Sequence, residues 1–248
     1  MSRTELREDG AAAVAVLTSP RRGLDLVVAR RRSLVAILIA TVASILFSAA
    51  AVPRLDFARA ATRQLEMSPE AAEMTPFQRE EKIEQARKVG SIGVYAGSAF
   101  SPALSVLVAA FFLWLGFKVA GTSPPFRGTL AVAAHGLLPT LLAPLLMLPA
   151  IFMKAPIDPE ALTRLLPSNL AAFLPEQASP VALAAAASFD LFSFWSLALV
   201  AMGMARLSGA SPRRATAVTV LLWLAFVGLL RIAPAAALAA ARSHVGGA

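Results

Sequence analysis

Arg30-Arg31-Arg32-Ser33, followed by LVAILIATVASILFSAAAV from Leu34 to Val52, is the stretch that decides the fold class. The run from residue 34 to 52 carries no charged side chain. At about 1.5 Å rise per residue it is long enough to cross a hydrocarbon core about 30 Å thick. Four further stretches of that length and character follow, at about residues 93–117, 129–153, 181–205 and 215–237. The pattern predicts an all-α membrane protein, a bundle of five transmembrane helices.

Composition points the same way. Hydrophobic residues make up 57% of the chain and charged residues 15%, with a mean hydropathy of +0.67. A soluble domain carries about 25% charge. The formal charge of +8 does not read as a nucleic-acid footprint. The arginines and lysines sit at the ends of apolar runs rather than in a patch interleaved with exposed aromatics. There they fix orientation and meet anionic headgroups. The absence of cysteine removes disulfides, thiolate metal sites and a cysteine nucleophile from consideration.

The basic residues also predict a topology. Arg21, Arg22 and Arg30–Arg32 precede the first span; Lys118 and Arg127 follow the second; Arg206, Arg213 and Arg214 follow the fourth. The positive-inside rule makes these three regions cytoplasmic. Residues 54–89 hold seven basic and seven acidic side chains and show no bias. The expected location is a bacterial inner membrane, with the N-terminus inside and the C-terminus outside. Arg31-Arg32-Ser33-Leu34-Val35 with Ala49-Ala50-Ala51 imitates a cleaved twin-arginine leader. The long charged region before a full-length apolar run instead favours an uncleaved first helix.

Boundaries are marked by a repeated device, a capping residue followed by proline, which has no unsatisfied amide to lose at the first helical position. It occurs at Ser19-Pro20, Ser68-Pro69, Thr75-Pro76, Asp158-Pro159, Ser179-Pro180 and Ser211-Pro212. At Thr75 the glutamine three residues on, Gln78, completes a capping box. Residues 1–18 are expected to be a loose start, 19–241 the five-span domain and 242–248 a tail. After Pro20 the apolar Leu24, Val27 and Val28 oppose arginines, predicting a short helix lying in the membrane interface. Short helices are expected in the external loops.

Three features inside the spans are unusual. Pro139, Pro144 and Pro149 recur every five residues in the third span. Each withholds an amide and crowds the carbonyl four residues before it, at His135, Thr140 and Leu145. Such a helix is either bent and buried, or it forms a hinge or a water-lined cavity. Ala36, Ala40, Ser44 and Ser48 form a ridge of small residues on the first span, suited to close helix packing within the chain or with a second subunit.

The third feature is Asp190, a carboxylate inside the fourth span, where an unpaired charge costs at least about 2.5 kcal/mol. Counted from their shared cytoplasmic ends, Asp190 lies about 22 Å deep and Arg231 about 24 Å. An Asp190–Arg231 pair is therefore expected. The alternative is that Arg231 snorkels outward while Asp190 caps freed amides or meets Ser193. His135 lies about 12 Å shallower than Asp190, so a hydrogen bond to backbone or water is its expected role. With His244 as the other histidine, no metal site of ordinary spacing is predicted, and no cofactor. Glu80 and Glu81 belong to a charged helix with ordinary i, i+4 pairs such as Glu84–Lys88. No nucleophile elbow, phosphate loop or zinc helix motif is present, and no enzymatic activity is expected.

The order of several segments resembles the Yip family, the Ypt/Rab-interacting five-span membrane proteins, in its bacterial form. The matching pieces are Ser19-Pro20, Arg54-Leu55-Asp56-Phe57, Met74-Thr75-Pro76-Phe77-Gln78-Arg79 and Pro156-Ile157-Asp158-Pro159. Ser168-Asn169-Leu170-Ala171-Ala172-Phe173-Leu174 follows, then Asp190-Leu191-Phe192-Ser193-Phe194-Trp195-Ser196-Leu197 with Gly203. The resemblance covers about residues 18–240 and marks Asn169 and Trp195 as further candidate residues. It implies a non-enzymatic role in binding partners within the bilayer, by scaffolding; a homo-oligomer or another membrane protein is the implied partner. The eukaryotic relatives bind Rab-type GTPases and have a long N-terminal region with no counterpart before the first span here, so the resemblance leaves GTPase binding open. The competing expectation is a small-molecule or lipid transporter using a cavity around the proline-rich third span.

Overall fold

The computed structural model describes residues 2–66, 68, 71, 73–154, 156–175 and 177–245. Its helices, in order, are α1 (Arg3–Thr18), α2 (Pro20–Arg30), α3 (Leu34–Ala51), α4 (Phe57–Glu66), α5 (Pro76–Val119) and α6 (Phe126–Gly136). They continue with α7 (Leu142–Lys154), α8 (Leu162–Leu165), α9 (Pro180–Ser188), α10 (Leu191–Ser208), α11 (Pro212–Val227) and α12 (Ala233–Val245). The described residues contain isolated β-bridges but no strand. Among them, five segments are long and apolar enough to cross a membrane: Leu34–Arg54, Pro76–Val119, Phe126–Lys154, Leu191–Ser208 and Pro212–Ala237. The protein is an all-α, multi-pass membrane bundle. Its outer surface carries rows of exposed apolar side chains, such as Phe100, Leu104, Leu107 and Phe111 on α5 and Leu221 and Leu224 on α11. Patches of that extent suit lipid rather than water.

Most of the proline caps act as their sequence predicts. Gln78 N donates to Thr75 Oγ1 at 3.3 Å while Thr75 N donates to Gln78 Oε1 at 2.9 Å, the complete capping box. Ser179 and Ser211 accept from Ala182 N and Arg214 N. Ser19 precedes Pro20 without a side-chain bond, because the residue also ends α1 and turns the chain between two helices. At Asp158-Pro159 the chain makes a 3-10 turn leading into α8. The expected cap at Ser68-Pro69-Glu70 lies outside the described residues.

Five expectations need correction. Residues 3–18 are not loose: they form α1, started by a capping box between Ser2 and Glu5. Asp9, Ala12, Ala13 and Val16 of α1 are buried. Gly23 makes this possible, since a Cβ there would lie 2.3 Å from Val16 N. The pairing is locked by ions: Arg30 meets Glu8 and Asp9, and Arg32 meets Glu5 and Asp9. Arg31 adopts a left-handed conformation (φ 54°) at the end of α2. Two of the arginines assigned above to headgroups are thus neutralised within the protein.

α2 does not lay its apolar face on lipid. Leu24 and Val27 are fully enclosed, packed with residues of α6 and α10 in the main core. Gly203 of α10 provides the room; a Cβ there would sit 3.2 Å from Leu24 Cδ2. The second span is the C-terminal part of one 44-residue helix, about 66 Å long, so its charged first turns project well beyond the bilayer. The expected fourth span, 181–205, is broken at Phe189-Asp190 into α9 and α10, and the membrane-length piece starts at Leu191. The fifth continues through a π turn at Gly228–Ile232 into α12, which reaches Val245, four residues into the expected tail.

Two apolar clusters hold the bundle. The larger lies toward the N-terminal face and joins α1, α2, α5, α6, α10 and α11 around Phe117, Val132, Leu199 and Met204. The smaller, Ala51, Ile151 and Ile157 with Leu55, Leu162 and Leu165 against it, sits at the opposite face. There the two inter-span segments meet: Asp56 N donates to Ile157 O at 2.8 Å and Ile157 N to Arg54 O at 2.9 Å.

Candidate functional site

The break in the fourth span is built around Asp190. Its backbone is extended (φ −117°, ψ 141°), and Oδ1 accepts from Phe192 N at 2.9 Å and Ser193 N at 3.2 Å. A carboxylate that captures the first amides of a helix competes directly with the helix that would otherwise run through it. Oδ2 accepts from Ser168 Oγ at 2.5 Å. The backbone groups released by the break are met by the preceding loop: Leu191 N donates to Ser168 O at 2.9 Å and Leu170 N to Phe189 O at 3.2 Å. Asn169 secures that loop. Its Nδ2 donates to Thr163 O at 3.1 Å and its Oδ1 accepts from Ala171 N at 2.9 Å. Phe189, Phe194 and Trp223 pack edge-to-face and tilted around the break, with centroids 5.6–6.1 Å apart.

Arg231 is not brought to this centre. Among the described residues no ion pair joins it to Asp190, and its side chain is exposed, within the π turn. Two causes are visible. Asp190 is already engaged by three donors, and a π turn carries an extra residue that rotates the face on which Arg231 would have met α10. The capping alternative is the arrangement found.

The other candidates fall in separate places. His135 is buried, with Nδ1 2.9 Å from Ala131 O and Nε2 without a partner. Trp195 packs at the edge of the main core. Around Pro139 the third span becomes a 3-10 turn, Leu138–Leu141, dividing α6 from α7. Thr140 Oγ1 donates to Leu137 O there at 2.6 Å. Pro144 lies in the first turn of α7 and Pro149 within it. Ala36, Ala40 and Ser48 of the ridge are buried and Ser44 half-buried. Ala40 and Ser44 face the break in the third span across a cavity of about 200 Å³, also lined by Ser101, Ser105 and Thr140. Neither Asp190 nor His135 lines it. No group of three or more His, Asp or Glu placed to hold a metal occurs among the described residues.

A larger cleft of about 470 Å³ was missed by sequence reasoning. Arg59, Arg63, Lys154 and Arg164 line it together with Asp158. Its members are scattered over three segments, and the only local signal was Arg59 and Arg63 at i, i+4 spacing.

Apolar helices crossing repeatedly, with an acid engaged as the cap at the head of the fourth crossing, define the class as polytopic α-helical membrane proteins. The chain belongs to the Yip1 domain family, whose profile matches residues 14–232. The match spans α2 through the π turn and includes both Ser168-Asn169 and Asp190. No curated protein and no solved structure matches the chain.

Proposed function

We propose that the protein is a non-enzymatic scaffold that binds a membrane-protein partner, or a second copy of itself, within a bacterial inner membrane. The observation that carries this reading is the engagement of Asp190. A carboxylate inside a span usually marks a substrate or ion path; Asp190 instead stands at the head of the fourth crossing, as its cap. Here it is used by Ser168 and two backbone amides, apart from either cavity. The spans also leave much surface outward: between 17% and 39% of the apolar stretch of each is buried. That surface meets lipid or a partner. The N-terminus is assigned to the cytoplasm and the C-terminus to the outside, with the first helix retained. Arg21, Arg22, Lys118, Arg127, Arg213 and Arg214 support this orientation without Arg30 and Arg32.

The test is photo-crosslinking in native membranes from residues introduced at exposed positions such as Leu107 and Leu221. Discrete protein adducts from one face are expected; lipid adducts alone at every position would remove the scaffold reading. A C-terminal reporter active only outside the cytosol checks the orientation.

The cavity at the proline break favours a second reading, transport of a small molecule or lipid. It predicts that Ser105→Phe abolishes uptake of a tracer by proteoliposomes. A bundle whose tracer fluxes are all insensitive to that change is no carrier through this cavity.

A further inference from the structure

The basic cleft opposite the N-terminal face has the make-up of an anion site. Arg59 and Arg63 come from successive turns of α4, Lys154 ends α7, and Arg164 lies in α8. Asp158 is the acid among the described lining residues, and it pairs with Arg63. Even with Glu160, the next acid in sequence, the four cations outnumber two acids. Arg59 and Lys154 form no ion pair with a described side chain. Arg164 uses Nη1 on Leu174 O and Pro175 O, at 2.8 and 2.9 Å, which leaves its Nε and Nη2 donors available.

The level of the cleft matters as much as its charge. Lys154 closes the third candidate span and Arg54 the first, so the opening lies where hydrocarbon gives way to headgroups. Ile157 and Leu165 line it from the smaller apolar cluster. Arg54 stands over the Phe152 ring, 3.8 Å from its centroid, anchoring the end of the third span beside it. A site with guanidinium forks on one side and apolar side chains on the other suits a phosphate group attached to an apolar body. Its volume falls within the range of about 300–1,000 Å³ usual for small-ligand pockets.

We propose that this cleft binds a phosphate monoanion or diester, with Arg59, Lys154 and Arg164 as its ligands. An anionic phospholipid headgroup and a free phosphate share that chemistry. The full-length protein is placed in nanodiscs of phosphatidylcholine alone, or of equal parts phosphatidylcholine and phosphatidylglycerol. Bound lipid is counted by native mass spectrometry, and inorganic phosphate is added in a parallel arm. Wild type is expected to retain phosphatidylglycerol saturably. Arg59→Gln with Lys154→Gln should weaken that retention about fivefold per charge removed, or about 30-fold together. Arg59→Lys with Lys154→Arg should keep it.

If inorganic phosphate neither binds in phosphatidylcholine discs nor displaces phosphatidylglycerol, the ligand is the lipid headgroup. Phosphate that binds with the same dependence on the two residues makes it a free phosphate. Equal retention by wild type and the Gln pair overturns the site. So does the absence of binding by either probe, or a loss in the charge-keeping pair at unchanged unfolding temperature.

Discussion

Ser168 Oγ donates to Asp190 Oδ2 at 2.5 Å, tying the loop before the fourth span to the break within it. The bond explains how a carboxylate is accommodated in an apolar segment without a cation. It also predicts coupling. Asp190→Ala should destabilise the protein by about 1–3 kcal/mol, combining a lost cap with a broken, half-buried hydrogen bond. Ser168→Ala should cost about 1 kcal/mol and less than that in the Asp190→Ala background. Arg231→Gln should add independently of Asp190→Ala. Unfolding in mixed micelles measures all of these; a coupling between 190 and 231 as large as that between 168 and 190 contradicts the geometry.

Gly23 is the contact point of the N-terminal hairpin, where a Cβ would lie 2.3 Å from Val16 N and 2.5 Å from Ala15 C. Because backbone cannot swing aside like a flexible side chain, Gly23→Ala should separate α1 from α2. Hydrogen exchange is expected to rise across residues 3–18 and stay low in α10.

The docking of α1 should also respond to acid. The Glu5 carboxyl is held below its ordinary value of 4.5, first by its bond from the Ser2 backbone amide and then by the Arg32 guanidinium. A lowered folded-state value means that the contribution is complete above 4.5 and disappears as pH falls through that lowered value. The chain has no cysteine, so single cysteines can be added in α1 and α2 and spin-labelled. Their separation should widen only below pH 4.5. Constant separation down to full protonation would show that Glu5 does not hold the helix.

Arg31 occupies the left-handed region at the end of α2, a conformation that costs a non-glycine residue about 1–2 kcal/mol. Arg31→Gly should raise stability by up to about 1 kcal/mol, because its neighbours Arg30 and Arg32 make the ion pairs. Thermal unfolding in detergent checks the sign.

Ala36 is fully buried in the ridge of the first span. Ala36→Leu should destabilise by about 1–3 kcal/mol through overpacking. The same change at Val42, which is exposed, should be nearly silent. An equal response at both positions would mean that the ridge does not face protein.

Hydropathy found five spanning segments because burial in hydrocarbon leaves a signature residue by residue. It misplaced the fourth because Asp190, a strong local capping group, ends a helix that apolar composition alone would continue. Depth counting paired Asp190 with Arg231 on the assumption of uninterrupted α-helices, and both helices are interrupted. Residues 3–18 looked loose because their apolar face is small and made mostly of alanine. Its value comes from Gly23 and the Arg30 and Arg32 side chains opposite, which no window over residues 1–18 contains.

Local sequence set the class, the capping boundaries and the sites where prolines disturb the third span. Each depends on solvent transfer or on hydrogen bonds within a few residues. Tertiary structure alone decided that Ser168 rather than Arg231 meets Asp190, that α1 closes over Leu24 and Val27, and that Arg59, Lys154 and Arg164 converge. Those contacts join segments from about ten to more than 100 positions apart, and their energies depend on distances that a linear pattern does not encode.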